Sequence, residues 1–177
     1  MSNSVTAYVA LGSNMGDRLA MLRKAVALLR NCNGIYVKDE SDVAGLFETQ
    51  PVGGPGGQAR YLNTAIRVRT TLQPMELMET LLEIERSLGR TRGAPGDSRV
   101  IDLDLLLYDQ FVCETRTLTL PHPRLRKVKD ALLAISLANI CFMRPWFGLL
   151  FDADYGYFNK YPVNATSLLA LAANLCW

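Results

Sequence analysis

The sequence predicts an α+β fold: a ferredoxin-like β-α-β-β-α-β core with an antiparallel sheet, followed by a C-terminal helical extension. Three observations predict it. Apolar residues recur with strand and helix periods in the order strand, helix, strand, strand, helix, strand. Two turn-rich loops, 51–57 and 90–99, punctuate that order. With 177 residues, 49% of them hydrophobic, the chain can bury one good core but is too short for two comfortable domains. The expected organisation is one domain over residues 1–140 and an appended segment, 141–177, packed on it.

The apolar run from Val5 to Leu11 reads as a buried strand that stops at Gly12-Ser13-Asn14, where a helix is expected to start. Leu19, Leu22, Ala25, Val26 and Leu29 share one helical face, and Arg18, Arg23, Lys24 and Arg30 lie opposite, with an end near 31–34. A second, less regular strand is expected over Ile35 to Phe47. Tyr61 to Thr71 alternates as a third strand, with Ala65, Arg67 and Arg69 on one face and Ile66 and Val68 on the other. Between them, residues 51–57 hold four glycines and two prolines and can form neither a helix nor an interior strand. Pro74 suits a first helical turn, and Leu77, Leu81, Leu82, Ile84, Glu85 and Leu88 continue that helix until Gly89 ends it. A basic loop, Arg90 to Arg99, then feeds the apolar strand Val100 to Tyr108. After Leu120-Pro121-His122-Pro123 a helix is expected over about 127–140, then a tail with eight aromatic rings between Phe142 and Tyr161.

Nineteen basic and 17 acidic residues leave a net charge of +2, too weak a field to point to nucleic acid. Cys32, Cys113, Cys141 and Cys176 form no CxxC pair and suggest neither a zinc cage nor a disulfide framework, so a reducing, cytoplasmic setting is expected. No secretory signal is visible near Met1, and the C-terminal apolar stretches are broken by Arg144, Pro145, Asp152 and Asp154, which argues against a bilayer span.

Chemistry concentrates on one strand. Asp102 and Asp104, two residues apart, project from one face while Ile101, Leu103 and Leu105 point into the core. Hard oxygen donors at that spacing suit Mg²⁺ bridging phosphate oxygens; the plainer reading is that the aspartates end a strand or pair with Arg99. Upstream, Arg90, Arg92 and Arg99 could grip an anion in bidentate fashion, or form a solvated basic loop. Gly12-Ser13-Asn14 could present backbone amides to a phosphate. Tyr61 and Asn63 put a ring and an amide on one strand face, suited to a flat heterocycle or equally to a core tyrosine beside a turn asparagine. His122, the chain's only histidine, could donate to a phosphate or simply pack.

These residues resemble the 6-hydroxymethyl-7,8-dihydropterin pyrophosphokinase family. Its signature strand, an arginine followed by x-x-D-x-D and two aliphatic residues, is matched by Arg99-Val100-Ile101-Asp102-Leu103-Asp104-Leu105-Leu106. ALGSNMGDR, YLN, IERSLGRTR and LPHPRL follow the family's order, so the resemblance spans about residues 5–126. It implies transfer of a pyrophosphoryl group from the co-substrate ATP to the hydroxymethyl oxygen of the pterin, releasing AMP, in folate biosynthesis. Asp102 and Asp104 would hold two Mg²⁺ ions. Thr49, Pro51, Val52, Tyr61 and Asn63, with Asp102, would line the pterin pocket. Arg90, Arg92, Arg99 and His122 would meet the ATP phosphates, Arg90 and Arg92 serving catalysis with the aspartates. Leu105 and Thr119 would border adenine or ribose, and Glu85 would order the arginines. The implied enzyme is a cytoplasmic monomer that engages neither nucleic acid nor membrane.

The chain departs from the family pattern twice: Gly96-Asp97-Ser98 replaces a bulky residue with Gly/Ala-Pro, and Arg126-Lys127-Val128-Lys129-Asp130 replaces a His-Glu-Arg run and its following Phe. Two other readings follow: a relative that binds nucleotide or pterin without turnover, or a nucleotidyltransferase with paired aspartates that would release pyrophosphate.

Overall fold

The computed structural model describes residues 4–38, 42–51, 54–91 and 96–123. The helix expected over 127–140 and the segment 141–177 lie outside the described residues.

The central strand, β1 (Val5–Ser13), alternates apolar side chains that have no room for solvent on the helical side: Ala7, Val9 and Leu11 are at most 1% exposed. A helix, α1 (Arg18–Asn31), follows. Its N-cap is Asp17, whose side chain accepts from Ala20 N at 2.9 Å and satisfies one of the first-turn amides. Two short strands come next, β2 (Ile35–Tyr36) and β3 (Phe47–Thr49), then the long β4 (Tyr61–Thr70). The second helix, α2 (Pro74–Ser87), starts at the expected proline; Gln73 N donates to Glu76 Oε2 at 2.7 Å. It ends where Gly89 adopts φ +88°, a conformation costly for any residue with a Cβ. Then follow β5 (Asp102–Tyr108) and a small hairpin, β6 (Cys113–Glu114) with β7 (Thr119–Leu120).

The main sheet runs β2-β4-β1-β5, with β3 also on β4, and every pairing is antiparallel. Strand β4 thus lies between β1 and β2, the split arrangement that the predicted order requires. Leu22, Ala25 and Leu29 of α1 and Leu77, Leu81 and Ile84 of α2 pack with Val9, Leu11, Ile66, Val68, Leu103 and Leu105 of the sheet. Full burial of such side chains contributes about 1.5–3 kcal/mol each.

Two expectations need correction. The strand over Ile35 to Phe47 is two separate short strands, with Val43 between them making an isolated bridge to Ile66 of β4. A buried ion pair helps to break it: Asp42, 6% exposed, accepts from Arg67 and from Lys38 N at 2.8 Å. Nor does Gly12-Ser13-Asn14 start a helix. Gly12 and Ser13 still pair with Asn63 and Leu62, and α1 begins only at Arg18, so these amides belong to the sheet.

Candidate active site

Three strands meet at the site, and their register decides which side chains face each other. Gly12 on β1 stands opposite Asn63 on β4 and Asp102 on β5; Ala10 stands opposite Ala65 and Asp104. Directly paired residues of an antiparallel sheet share a face. Asn63 and Asp102 therefore stand about 10 Å apart, two strand spacings, across a floor made of Gly12, Ala10 and Ala65. This face is the one turned away from the helices, because Leu11, Leu103 and Leu105 occupy the other. A Cβ on Gly12 would lie 2.6 Å from Asn63 Oδ1 and 3.6 Å from the Tyr61 ring, so only glycine lets the amide lie across β1.

On one flank, Asn63 Nδ2 donates to Thr49 Oγ1 at 2.8 Å, and Thr49 is the register partner of Tyr61. The structure thus brings Thr49, Tyr61 and Asn63 together as a ring and two polar groups on adjacent strands. Pro51 follows β3, partly exposed. Val52 lies outside the described residues.

On the other flank the carboxylates meet the cations. Arg90 Nη1 donates to Asp102 Oδ1 at 2.7 Å, and Arg99 donates to Asp102 Oδ2. Arg90 is also held by Glu85, in the last turn of α2, whose Oε1 accepts from Leu103 N at 2.6 Å. Glu85 is 2% exposed, and this burial pushes its carboxyl above the ordinary range, although the Leu103 amide and Arg90 pull it back. Burial also works against the charge on Arg99, but the Asp102 carboxylate outweighs it and holds the guanidinium above its ordinary value. The plainer reading of the aspartates therefore holds in part: Asp102 pairs with Arg99, and with Arg90 as well. Arg92 lies outside the described residues.

Asp104 is reached from a third direction. The β1–β5 register shifts between Tyr8 and Val9, which face Leu107 and Leu105, leaving Leu106 as the extra residue of a bulge. The Leu106 carbonyl accepts from His122 N at 2.9 Å, which anchors the chain after β7. His122 Nε2 then stands 3.8 Å from Asp104 Oδ1, within ion-pair range once protonated but too far for a hydrogen bond. Thr119 pairs with Glu114 in the hairpin that leads to His122. Leu105 is 4% exposed and sits in the core, on the face of β5 opposite the two aspartates.

The donor set fits a hard divalent cation. Asp102 and Asp104 offer carboxylate oxygens from one face, their side chains 16% and 36% exposed rather than sealed in the core. Among the described residues no group of three or more His, Cys, Asp or Glu gathers. Such a cation would therefore complete its shell with water and phosphate oxygens, the habit of Mg²⁺ rather than of a dedicated protein cage.

Sequence reasoning missed the group beside Arg99. Asn14, 3% exposed, bonds to Arg99, Gln58, Ala59 and Ser98, partners 44 to 85 positions away. The available signal was an asparagine closing an otherwise apolar strand.

Comparison with known proteins gives the family. The family model described as 7,8-dihydro-6-hydroxymethylpterin-pyrophosphokinase (HPPK) matches residues 8–141. The 2-amino-4-hydroxy-6-hydroxymethyldihydropteridine pyrophosphokinase of Bacillus subtilis is 44% identical over 135 residues, 76% of this chain and 77% of the relative. Its namesake from Methylorubrum extorquens is 40% identical over 134 residues, 76% of this chain and 81% of the relative. The mitochondrial folate synthesis bifunctional protein of Pisum sativum is 43% identical over 117 residues; they make up 66% of this chain but only 22% of the pea protein. A Plasmodium falciparum HPPK-DHPS crystallised with pteroate superposes with a TM-score of 0.53 at 11% identity. That overlap covers 75% of this chain and 39% of the parasite protein and bears on the fold alone.

Proposed function

The chain belongs to the 7,8-dihydro-6-hydroxymethylpterin-pyrophosphokinase family, and from that premise we propose that it transfers a pyrophosphoryl group from ATP to 6-hydroxymethyl-7,8-dihydropterin in folate biosynthesis. The observation that carries the reading is the row Asn63–Gly12–Asp102. It sets an amide with its threonine and tyrosine neighbours across a side-chain-free floor from paired carboxylates ringed by arginine and histidine.

The chemistry divides along that row. A pterin is flat with a donor–acceptor edge, matched by the Asn63 amide, the Thr49 hydroxyl and the Tyr61 ring. Pro51 and Val52 would border the same pocket, and Asp102 would face its hydroxymethyl end. Arg90, Arg92, Arg99 and His122 would bind and orient the triphosphate, with Arg90 and Arg92 facing the charge that grows in the transition state. Glu85 would hold Arg90 in place, while Thr119 and the backbone of β5 at Leu105, whose side chain lies in the core, would border the nucleoside. The hydroxymethyl oxygen forms a bond to the β-phosphorus, the bond from that phosphorus to the α–β bridging oxygen breaks, the hydroxyl proton is lost and AMP departs. Little covalent help is needed, so positioning of the alcohol in line with that phosphorus accounts for much of the rate.

Asp102 and Asp104 would hold Mg²⁺, two ions in the full complex. When bound, the metal supplies neutralisation of phosphate charge. Arg90 and Arg99 offset the Asp102 charge in the meantime. We place the enzyme in the cytoplasm as a monomer, a setting that the free thiols of Cys32 and Cys113 suit. No helix of the described residues is long and apolar enough to cross a membrane. The family match over 8–141 supports a pyrophosphokinase domain over 1–140 with 141–177 as an extension.

The test is product analysis with purified protein, ATP, Mg²⁺ and the pterin alcohol. AMP and pterin diphosphate should form in equal amounts. Binding without AMP, or free pyrophosphate with a nucleotidylated product, would overturn the proposal.

A further inference from the structure

We propose that Asn14 is a positioning residue that locks the backbone of Arg99 and joins loop 54–60 to loop 96–99, so that the pterin and triphosphate flanks are held in one register. The inference deepens the function proposed above, and its kinetic arm rests on that reading.

Asn14 captures both backbone groups of Arg99. Its own N donates to Arg99 O at 3.1 Å, and its Oδ1 accepts from Arg99 N at 2.6 Å. The remaining side-chain group, Nδ2, faces Gln58 Oε1 at 3.1 Å, Ala59 O at 3.3 Å and Ser98 Oγ at 3.4 Å. Gln58 closes the circuit: Oε1 accepts from Ser98 Oγ at 3.2 Å, and Nε2 donates to Gly96 O at 2.7 Å. An independent contact shows how tightly the loops meet. A Cβ on Gly54, which has φ +81°, would lie 2.2 Å from Gly96 O.

The chemistry requires an amide of this length. One terminus must accept from a backbone N–H while the other donates to two or three oxygens, which neither a carboxylate nor a hydroxyl can do. At 3% exposure water does not readily replace these bonds, so losing them is costly. The placement gives the circuit its function. Gln58 lies three residues before Tyr61, and Arg99 lies three before Asp102, which its guanidinium grips. A slip in either loop therefore moves one flank of the site against the other.

The experiment compares Asn14→Ala, Asn14→Asp, Gln58→Ala and the Asn14→Ala/Gln58→Ala double variant with the wild-type chain. Hydrogen exchange at the Arg99 amide should speed up about tenfold or more in Asn14→Ala, and much less in Asn14→Asp, which keeps the acceptor. In steady state, Asn14→Ala should raise KM for both ATP and the pterin by about tenfold. Asn14→Asp and Gln58→Ala should raise KM mainly for the pterin. The double variant should be no worse than Asn14→Ala alone, because both changes cut one circuit. Should Asn14→Ala not fold, Asn14→Asp and Gln58→Ala decide through the split between the two KM values. Multiplying effects in the double variant, an unchanged Arg99 amide, or equal KM changes in Gln58→Ala would each overturn the proposal. If the wild-type chain shows no turnover, the functional reading fails, while the exchange measurement still decides the role of Asn14.

Discussion

Replacing Glu85 by alanine should unfold the chain more easily and loosen its hold on ATP, whereas replacing it by glutamine should do neither to the same degree. Glu85 is 2% exposed and is the acceptor for both Leu103 N and Arg90. Alanine leaves the Leu103 amide buried without a partner, at a cost of about 1–3 kcal/mol. It also strips Arg90 of one counter-charge, but Asp102 still holds that guanidinium at 2.7 Å. The about 3–5 kcal/mol of a fully broken buried pair is therefore an upper bound. A net loss of about 2–4 kcal/mol is expected, out of a total of about 5–15 for a domain. In urea, with a slope of about 2 kcal/mol/M, the midpoint should fall by about 1–2 M. Glutamine retains an oxygen for both donors and should cost about 1 kcal/mol. Arg90, left with Asp102 as its carboxylate partner in the alanine variant, is oriented less firmly, and KM for ATP should rise about tenfold, equivalent to one charge-assisted hydrogen bond. A midpoint within about 0.2 M of wild type, or equal losses in both variants, would refute the reasoning.

The same carboxyl gives a pH signature. Its value in the folded chain lies above the ordinary 4.5, so between the two values the folded state binds more protons than the unfolded state. Stability from this group is therefore fully present below the ordinary value and is lost as pH rises through the folded one. Glutamine does not titrate. The stability of Glu85→Gln relative to wild type should improve from about pH 4 upward and then level off; a gap that stays constant over that range would contradict the burial argument.

Asp104→Ala should lower kcat by about 10²–10³-fold with an unchanged urea midpoint; retained Mg²⁺-dependent turnover would remove Asp104 from the proposed metal site. Gly12→Ala should push the Asn63 amide aside and raise KM for the pterin about 5- to 150-fold, the range of about 1–3 kcal/mol for overpacking, with KM for ATP changed less than about twofold. Asp42→Ala should cost up to about 3–5 kcal/mol by removing the carboxylate that Arg67 grips. Both KM values should stay near wild type, since among the described residues Asp42 bonds to Lys38 and Arg67, which are not proposed site residues; a substrate effect larger than the stability effect would argue against that separation.

What could be read from the sequence followed the distance over which each feature is decided. The alternation that puts Leu103 in the core and Asp102 and Asp104 on the other face is a property of adjacent residues, and it holds. So do the start of α2 at Pro74 and its end before Gly89, because proline and glycine act on their own backbone. The pairing of Arg99 with Asp102, three positions apart, lay within reach of the same local reading. The second grip on Asp102, by Arg90, did not. It exists because Glu85, at the end of α2, reaches the Leu103 amide and fixes where residue 90 enters. The split of the expected second strand likewise depends on Arg67 reaching Asp42 across 25 positions.

Asn14 is the sharpest case, because the run that it closes reads locally as a helix start and is instead the end of a strand. A glycine-serine-asparagine run between strand and helix resembles an anion-binding turn, yet here Gly12 and Ser13 spend their amides on the sheet and the helix waits for Asp17. The strand runs on because β4 and β5 extend far enough to pair with it on both sides, at Asn63 and Asp102. That same extension carries Asn14 beyond the sheet edge to the level of Arg99 and Gln58, where a capping residue at a helix start would not reach them. The glycine of the run then acts through the side chain it lacks, as the floor between amide and carboxylate. A motif that reads as a phosphate cradle thus contributes a gap and a tether, and the cations proposed to meet phosphate are Arg90, Arg99 and His122, which the β5 bulge and the end of α2 bring to the two aspartates.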